Sequence, residues 1–173
     1  MDDAEFGTLA RSGTDWQLTF TRRFAHPAEK VWRAVTEAEH LAAWFPQEIV
    51  GERRTGASLR FVTAGGDSFE GEMLRFEPPT VMELGWGGDR LRIEVAADGD
   101  GSVLTLVDTF AELGKAARDA AGWHECTDRL TAHLDGEMPE PWGGRWRELN
   151  ALYVERLGPD AATIGPPPGY EPG

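Results

Sequence analysis

The sequence has one cysteine in 173 residues, Cys126, which excludes an internal disulfide and a cysteine-based zinc cluster. Long apolar runs are also missing. No stretch approaches the roughly 18 residues that a helical membrane span needs. The start, MDDAEFGTLARSG, is acidic and lacks a hydrophobic core, so no secretory leader is expected and the cytoplasm is the expected location. Positive charge is scarce: 17 Lys and Arg face 30 Asp and Glu, a formal net charge of −13. The only tight basic pairs are Arg22-Arg23 and Arg53-Arg54. A nucleic-acid binder needs a contiguous cationic face to displace counterions, so neither nucleic acid nor an anionic membrane is an expected partner. Lys30 and Lys115 are the sole lysines and Asn150 the sole asparagine, a bias that fits GC-rich coding better than function.

What is present describes one globular domain, with 40% hydrophobic and 27% charged residues. The acid is concentrated: residues 61–140 hold seventeen acidic and six basic side chains. That block is expected to be the solvated outer face of a sheet.

Trp16, Leu18, Phe20, Arg22 and Phe24 alternate with polar residues, the period of a half-buried strand. Pro27 suits the first turn of a helix, and Val31, Ala34, Val35 and Ala38 follow at helical spacing. A second short helix is expected from Glu37 to Trp44, stopped by Pro46. Alternating runs then recur through Leu59–Phe61, Phe69–Met73, Met82–Trp86, Leu91–Val95 and Leu104–Phe110, separated by Gly and Pro turns. This is the pattern of an antiparallel meander. Trp123, Thr127, Leu130 and Leu134 lie on one face of a long helix ending near Gly136. Trp142, Trp146, Leu149, Tyr153 and Leu157 repeat that spacing in a tail helix, with Trp142 just before or at its start. Its tryptophans pack either onto the domain or against a second subunit, which leaves a homodimer open. Residues 1–13 and 158–173 read as flexible tails around a single domain, 14–157, that includes the extension 142–157. The order of elements is α+β.

Catalytic and metal motifs fail on inspection. DGDGS at 98–102 opens like a calcium loop, but its twelfth position is Thr109 where a bidentate Glu belongs, so it is expected to be a hairpin turn. His124 and His133 are nine residues apart, on opposite sides of a helix. The position four after His124 is Asp128, so the zinc-protease pattern is absent. There is no glycine-rich phosphate loop and no nucleophile elbow. Cys126 has no flanking base and reads as structural. No metal and no cofactor are expected.

The run FTRRFAHPAEKVWRAVTEAEHLAAWF at 20–45 resembles the N-terminal signature of the family related to the C-terminal domain of the activator of Hsp90 ATPase. That family belongs to the Bet v 1-like superfamily, also called START-like, SRPBCC or polyketide-cyclase-like. The strand Gly56–Phe61, GEMLRFEPPTVMELGW at 71–86, VLTLVDTF at 103–110 and AAGWHECTDRLTAHLDGE at 120–137 match its pattern in order. The resemblance implies a helix-grip fold, in which a curved antiparallel sheet of six to seven strands wraps a long C-terminal helix and two short helices close one end. Members often enclose an apolar cavity, and their functions vary between ligand binding, sequestration, catalysis and co-chaperone activity.

On that fold, Trp123, Thr127 and Leu130 would meet Phe61, Met73, Trp86 and Ile93 from the strands, with Trp44 and Phe45 at the lid. An aromatic wall of this kind suits a small apolar, lipid-like or polyketide-like ligand. The same residues also read as plain core. The family usually carries a large aliphatic side chain where Thr127 stands; its hydroxyl would either bond back to the Trp123 carbonyl or polarise the pocket. His124, Asp108 and Glu72 are rim candidates, each expected to be solvated or outward-facing. Two alternative functions accompany this reading. One is a chaperone-directed, stress-response module, weakened because only about 14 residues precede the first strand where the co-chaperone has a separate domain. The other is a cyclase or hydrolase with His124 or Asp108 as its titratable group.

Overall fold

The computed structural model describes residues 2–166. Strand β1 (Thr8–Ser12) pairs with β2 (Asp15–Phe24), and two short helices follow, α1 (Ala28–Thr36) and α2 (Ala38–Trp44). Strands β3 (Glu48–Val50), β4 (Ser58–Val62), β5 (Ser68–Glu77), β6 (Val81–Trp86), β7 (Asp89–Asp98) and β8 (Gly101–Phe110) lead to the long helix α3 (Ala116–Leu134) and then to α4 (Trp146–Leu157). All eight strands form one antiparallel sheet in the order β1-β2-β8-β7-β6-β5-β4-β3. The last strand returns beside β2, so α3, which follows it directly, lies across the inner face. This is the helix-grip fold, with one more strand than expected.

Alternation decides which face is inside. Leu18, Phe20, Arg22 and Phe24 of β2 are buried, as are Asp89, Leu91, Ile93 and Val95 of β7 and Leu104, Leu106, Asp108 and Phe110 of β8. These residues and the buried side of α3 belong to one continuous core. The β7–β8 hairpin turns on Gly99 and Asp100, with Gly99 at φ +58, so the DGDGS segment is the expected tight turn.

Four expectations change. Residues 8–12 are no tail: they form the edge strand β1, in register from Thr8 opposite Thr19 to Ser12 opposite Asp15. Ahead of them Phe6 is buried, and its ring lies 5.4 Å from that of Tyr153. The tail helix starts at Trp146; Trp142 precedes it, 44% exposed, with the Arg129 guanidinium 4.0 Å from its ring centre. Past α4, Pro159–Ala162 form a 3-10 turn with Ala161 buried, and the Ile164 N–H donates to the Gly114 carbonyl, so this stretch is docked. The remainder of the expected C-terminal tail, 167–173, lies outside the described residues. Finally, the acid is not all outside. Glu70, Glu72, Asp98 and Asp100 are exposed, but Asp89, Asp108 and Glu125 are buried.

Candidate functional site

The expected aromatic wall exists as a ladder of rings. Trp123, on the buried side of α3, has its centroid 5.2 Å from Trp86 of β6 and 5.8 Å from Phe45 just past α2. Trp86 lies 6.2 Å from Phe69, which stacks on Phe61 at 5.1 Å. Gly71 makes the stack possible, because a Cβ there would collide with the Phe61 ring and the Gly85 carbonyl oxygen. Trp44 packs edge-on to Phe45 at 5.6 Å. Every indole N–H of the ladder has an acceptor: Trp44 donates to the Ala34 carbonyl at 2.9 Å, Trp86 to Gln47 Oε1 at 2.9 Å, and Trp123 to Asp108 Oδ2 at 3.1 Å. Met73, Ile93 and Leu130 are fully buried in the same core. Trp86 is half-buried and marks the mouth of the ladder.

Thr127 does not face the ladder with a free hydroxyl. Its Oγ1 donates back to the helix carbonyls of Trp123 and His124, each at 3.0 Å, and accepts from Arg22 Nη2 at 2.9 Å. Shallow, open surface depressions lie elsewhere. One, of about 500 Å³, is lined by Thr36, Glu37, Ala38, Ile49, Gly51, Arg53 and Phe76. The other, of about 270 Å³, includes Arg22, Asp128, Asp135, Glu137 and Arg145. None of the nine expected ligand-binding residues lines either depression.

Two rim candidates are corrected and one stands. Glu72 is exposed, as expected. Asp108 and His124 are fully buried, and each anchors a polar cluster on α3. Asp108 projects inward from β8, where the alternation would place an apolar side chain. Burial, reinforced by the negative charges of Asp89 and Asp119, pushes its pKa up to about 8, against the Trp123 N–H bond and the Lys115 charge. Its carboxyl is therefore mostly neutral at pH 7. Asp108 Oδ1 has no hydrogen-bond partner among the described residues. Beside it the Lys115 ammonium bonds both oxygens of Asp89, at 2.8 and 2.6 Å, and lies 3.4 Å from Asp119 Oδ2. Arg118 Nε holds the other oxygen of Asp119 at 2.9 Å.

The second cluster is basic. Arg22, inward on β2 between Phe20 and Phe24, meets Asp128 Oδ1 at 3.3 Å, and Arg145 holds Asp128 Oδ2 at 2.7 Å. His124 Nδ1 lies 2.8 Å from the Tyr153 hydroxyl, whose oxygen accepts from the Gly7 N–H at 2.8 Å. The hydroxyl proton is thus directed at Nδ1, which assigns the imidazole proton to Nε2. Burial, then the charges of Arg22, Arg145 and Arg156, drive the His124 pKa down to about 3, so the ring is neutral. Cys126 is buried and its thiol pKa is raised by burial, as suits a structural cysteine.

Sequence reasoning did not single out Asp89, Asp119, Lys115, Arg145 or Tyr153. One signal was present for each cluster: a charged residue at an inward position of an apolar alternation, Asp108 in β8 and Arg22 in β2.

A curved antiparallel sheet gripping one long helix, closed by two short helices, is the architecture of the Bet v 1-like, or SRPBCC, superfamily. Within it, the family model described as "Activator of Hsp90 ATPase homolog 1-like protein" matches residues 25–135, and the chain belongs to that family. Solved structures agree on the fold. A conserved protein of unknown function from Enterococcus faecalis superposes with a TM-score of 0.73 at 18% identity, covering 87% of this chain and 90% of that one. CalU16 from Micromonospora echinospora gives 0.69 at 23% identity, covering 87% and 93%. DynU16, from the dynemicin biosynthetic locus, gives 0.64 at 25% identity over 72% of this chain and 49% of its own. No curated protein matches the chain. Among the described residues no helix is long and apolar enough to cross a membrane.

Proposed function

We propose that the protein binds a small apolar or amphipathic molecule, lipid-like or polyketide-like, against the ladder of aromatic rings between the sheet and α3. The observation that carries this reading is the continuity of the ladder from the buried Phe61–Phe69 stack through Trp86 to Trp123 and Phe45, with the half-buried Trp86 at its mouth. Aromatic walls with few polar groups are what small-molecule sites share. DynU16, a structural relative from a biosynthetic locus, is in keeping with a ligand of that chemistry. Side chains pack this space, so a ligand enters by displacing Trp86 and its bond to Gln47, and the face of the buried Trp123 that this uncovers receives it.

The test is a thermal-shift and tryptophan-fluorescence screen of hydrophobic compounds, with native mass spectrometry of the hits. A ligand at about 100 times its Kd adds about 2.7 kcal/mol to the folded state, which is a readily measured rise in Tm. Trp86→Ala should weaken each hit. If no compound shifts Tm, or if hits bind Trp86→Ala unchanged, the reading fails.

One observation favours a second reading, an enzyme acting on the same bound molecule. Asp108 is a neutral acid hydrogen-bonded to the ladder, the kind of group that can exchange a proton near pH 7. Asp108→Asn should then abolish turnover of an identified ligand while leaving its thermal shift in place. The chaperone-directed reading rests on the family description alone.

A further inference from the structure

We propose that Asp89, Asp108 and Asp119 form a binding site for a divalent cation of the oxygen-seeking kind, with Lys115 holding the ion's place when no metal is bound. The three residues come from different elements: the start of β7, the last turn of alternation in β8, and the first turn of α3. The fold brings one carboxylate oxygen from each within 4.8 Å of the other two. An ion with ligands at about 2.3–2.6 Å spans oxygens up to about 5 Å apart, so the separation suits calcium or manganese without rearranging the backbone.

An acidic cluster alone would be unremarkable. Here one member is incomplete. Asp108 is fully buried, its Oδ2 is engaged by Trp123, and its Oδ1 meets no donor among the described residues. Lys115 satisfies both oxygens of Asp89 and reaches Asp119, but leaves Asp108 Oδ1 unmatched. A monovalent ammonium beside Asp89 and Asp119 does part of the work of a dication set among all three side chains.

Lys115 is able to leave. It sits on the 3-10 turn Leu113–Lys115, its side chain 16% exposed, and its four methylenes let the ammonium swing into solvent. The Trp123 N–H would go on orienting Asp108, and Arg118 would go on holding the outer oxygen of Asp119, as partners behind the ligands commonly do. The positive end of α3 opposes a cation, but about half a charge at the helix start is outweighed by the carboxylates of Asp89 and Asp119 together with Asp108, which releases its proton when the ion binds. All the donors are oxygen, which selects calcium, magnesium or manganese over zinc or copper.

The proposal is independent of any apolar ligand, and its probes are ions alone. Chelator-treated full-length protein is titrated with Ca²⁺ and Mn²⁺ by calorimetry, and with Tb³⁺ read by luminescence excited through tryptophan. The expected result is saturable binding at one site, with Tb³⁺ emission sensitised by Trp123 and reversed by Ca²⁺. Asp119→Asn, at a partly exposed helix position, should weaken binding at least about tenfold, and Lys115→Met should tighten it by a similar factor. Circular dichroism confirms that both variants are folded. Absence of saturable binding in both the wild type and Lys115→Met overturns the proposal. So does binding indifferent to Asp119→Asn, which would place the ion elsewhere, such as at the exposed Glu37, Glu39 and His40.

Discussion

The two polar clusters on α3 meet the same difficulty with opposite chemistry. Both bury ionisable groups in an aromatic core, where an unpaired charge is costly. At the start of the helix, acid predominates: Asp89, Asp108 and Asp119 share Lys115 and Arg118, and Asp108 responds by keeping its proton. Farther along, base predominates: Arg22 and Arg145 share Asp128, and His124 responds by refusing a proton. In each cluster the most buried member is the one that goes neutral, while members nearer solvent form ion pairs. Each also leaves an atom unmatched, Asp108 Oδ1 in the first and Arg22 Nε and His124 Nε2 in the second.

The sharpest way to break this comparison is at the acidic end. Trp123→Ala removes a buried ring and, among the described residues, the one hydrogen-bond donor to Asp108, and should cost about 3–5 kcal/mol in chemical denaturation. A much smaller loss would mean that the ladder does not hold α3 to the sheet.

The dependence on pH separates the two ends. Asp108 titrates at about 8 when folded against an ordinary 3.8, so the native state keeps a proton that the unfolded chain has lost, and stability falls as pH rises through that window. His124 titrates at about 3 against 6.5, so the unfolded chain gains a proton that the native ring refuses, and stability falls as pH drops from 6.5 towards 3. The two effects oppose each other between 3.8 and 6.5, and above 6.5 His124 no longer contributes. Asp89 and Asp128, also raised by burial, slope the same way as Asp108. Denaturation in chelator should show stability falling on the order of 2 kcal/mol between pH 6.5 and 8, and Asp108→Asn should flatten much of that fall. A wild-type profile that is flat there would sink the assignment of a neutral Asp108.

The smallest effect belongs to the basic end. Tyr153→Phe leaves the ring packed but takes the hydroxyl from His124 and from the Gly7 N–H, and should cost about 1–2 kcal/mol by thermal melting. No change would indicate that water replaces the hydroxyl, and that the segment ahead of β1 is held by Phe6 packing and by Arg156, which pairs with Asp3 and lies over the Phe6 ring.

Much of this was legible beforehand, for identifiable reasons. The inner strand faces announced themselves because period two is imposed by the pleat. The helices α1, α2 and α3 stood out by apolar spacing, and the hairpin at Gly99 by its turn residues. Strand β1 was hidden because it is an edge strand whose residues are nearly all exposed, so no apolar alternation marks it. Trp142 shares the helical spacing of Trp146 but marks only the approach to the helix, and it is held outside α4, beside Arg129. Of the site, the aromatic rings follow from inward positions of the strands and of α3, and they lie 5.1–6.2 Å apart from centroid to centroid along the ladder. Asp108 and His124 were expected in water because carboxylates and imidazoles usually are, and nothing local in the chain says otherwise.

The sequence by itself determined the class of fold, the family and the aromatic character of the interior, since each follows from short-range periodicity and a run of residues in order. It also determined a strong excess of acid. Only the tertiary structure decided where that acid goes. Asp89, Asp108 and Asp119 are separated by turns and a whole strand, and they meet because β7 pairs with β8 and α3 folds back over both. Which carboxylates are solvated and which are buried is set by that long-range pairing. The reason is physical: the free energy of a charge depends on what surrounds it in space, and its neighbours in the chain do not supply that.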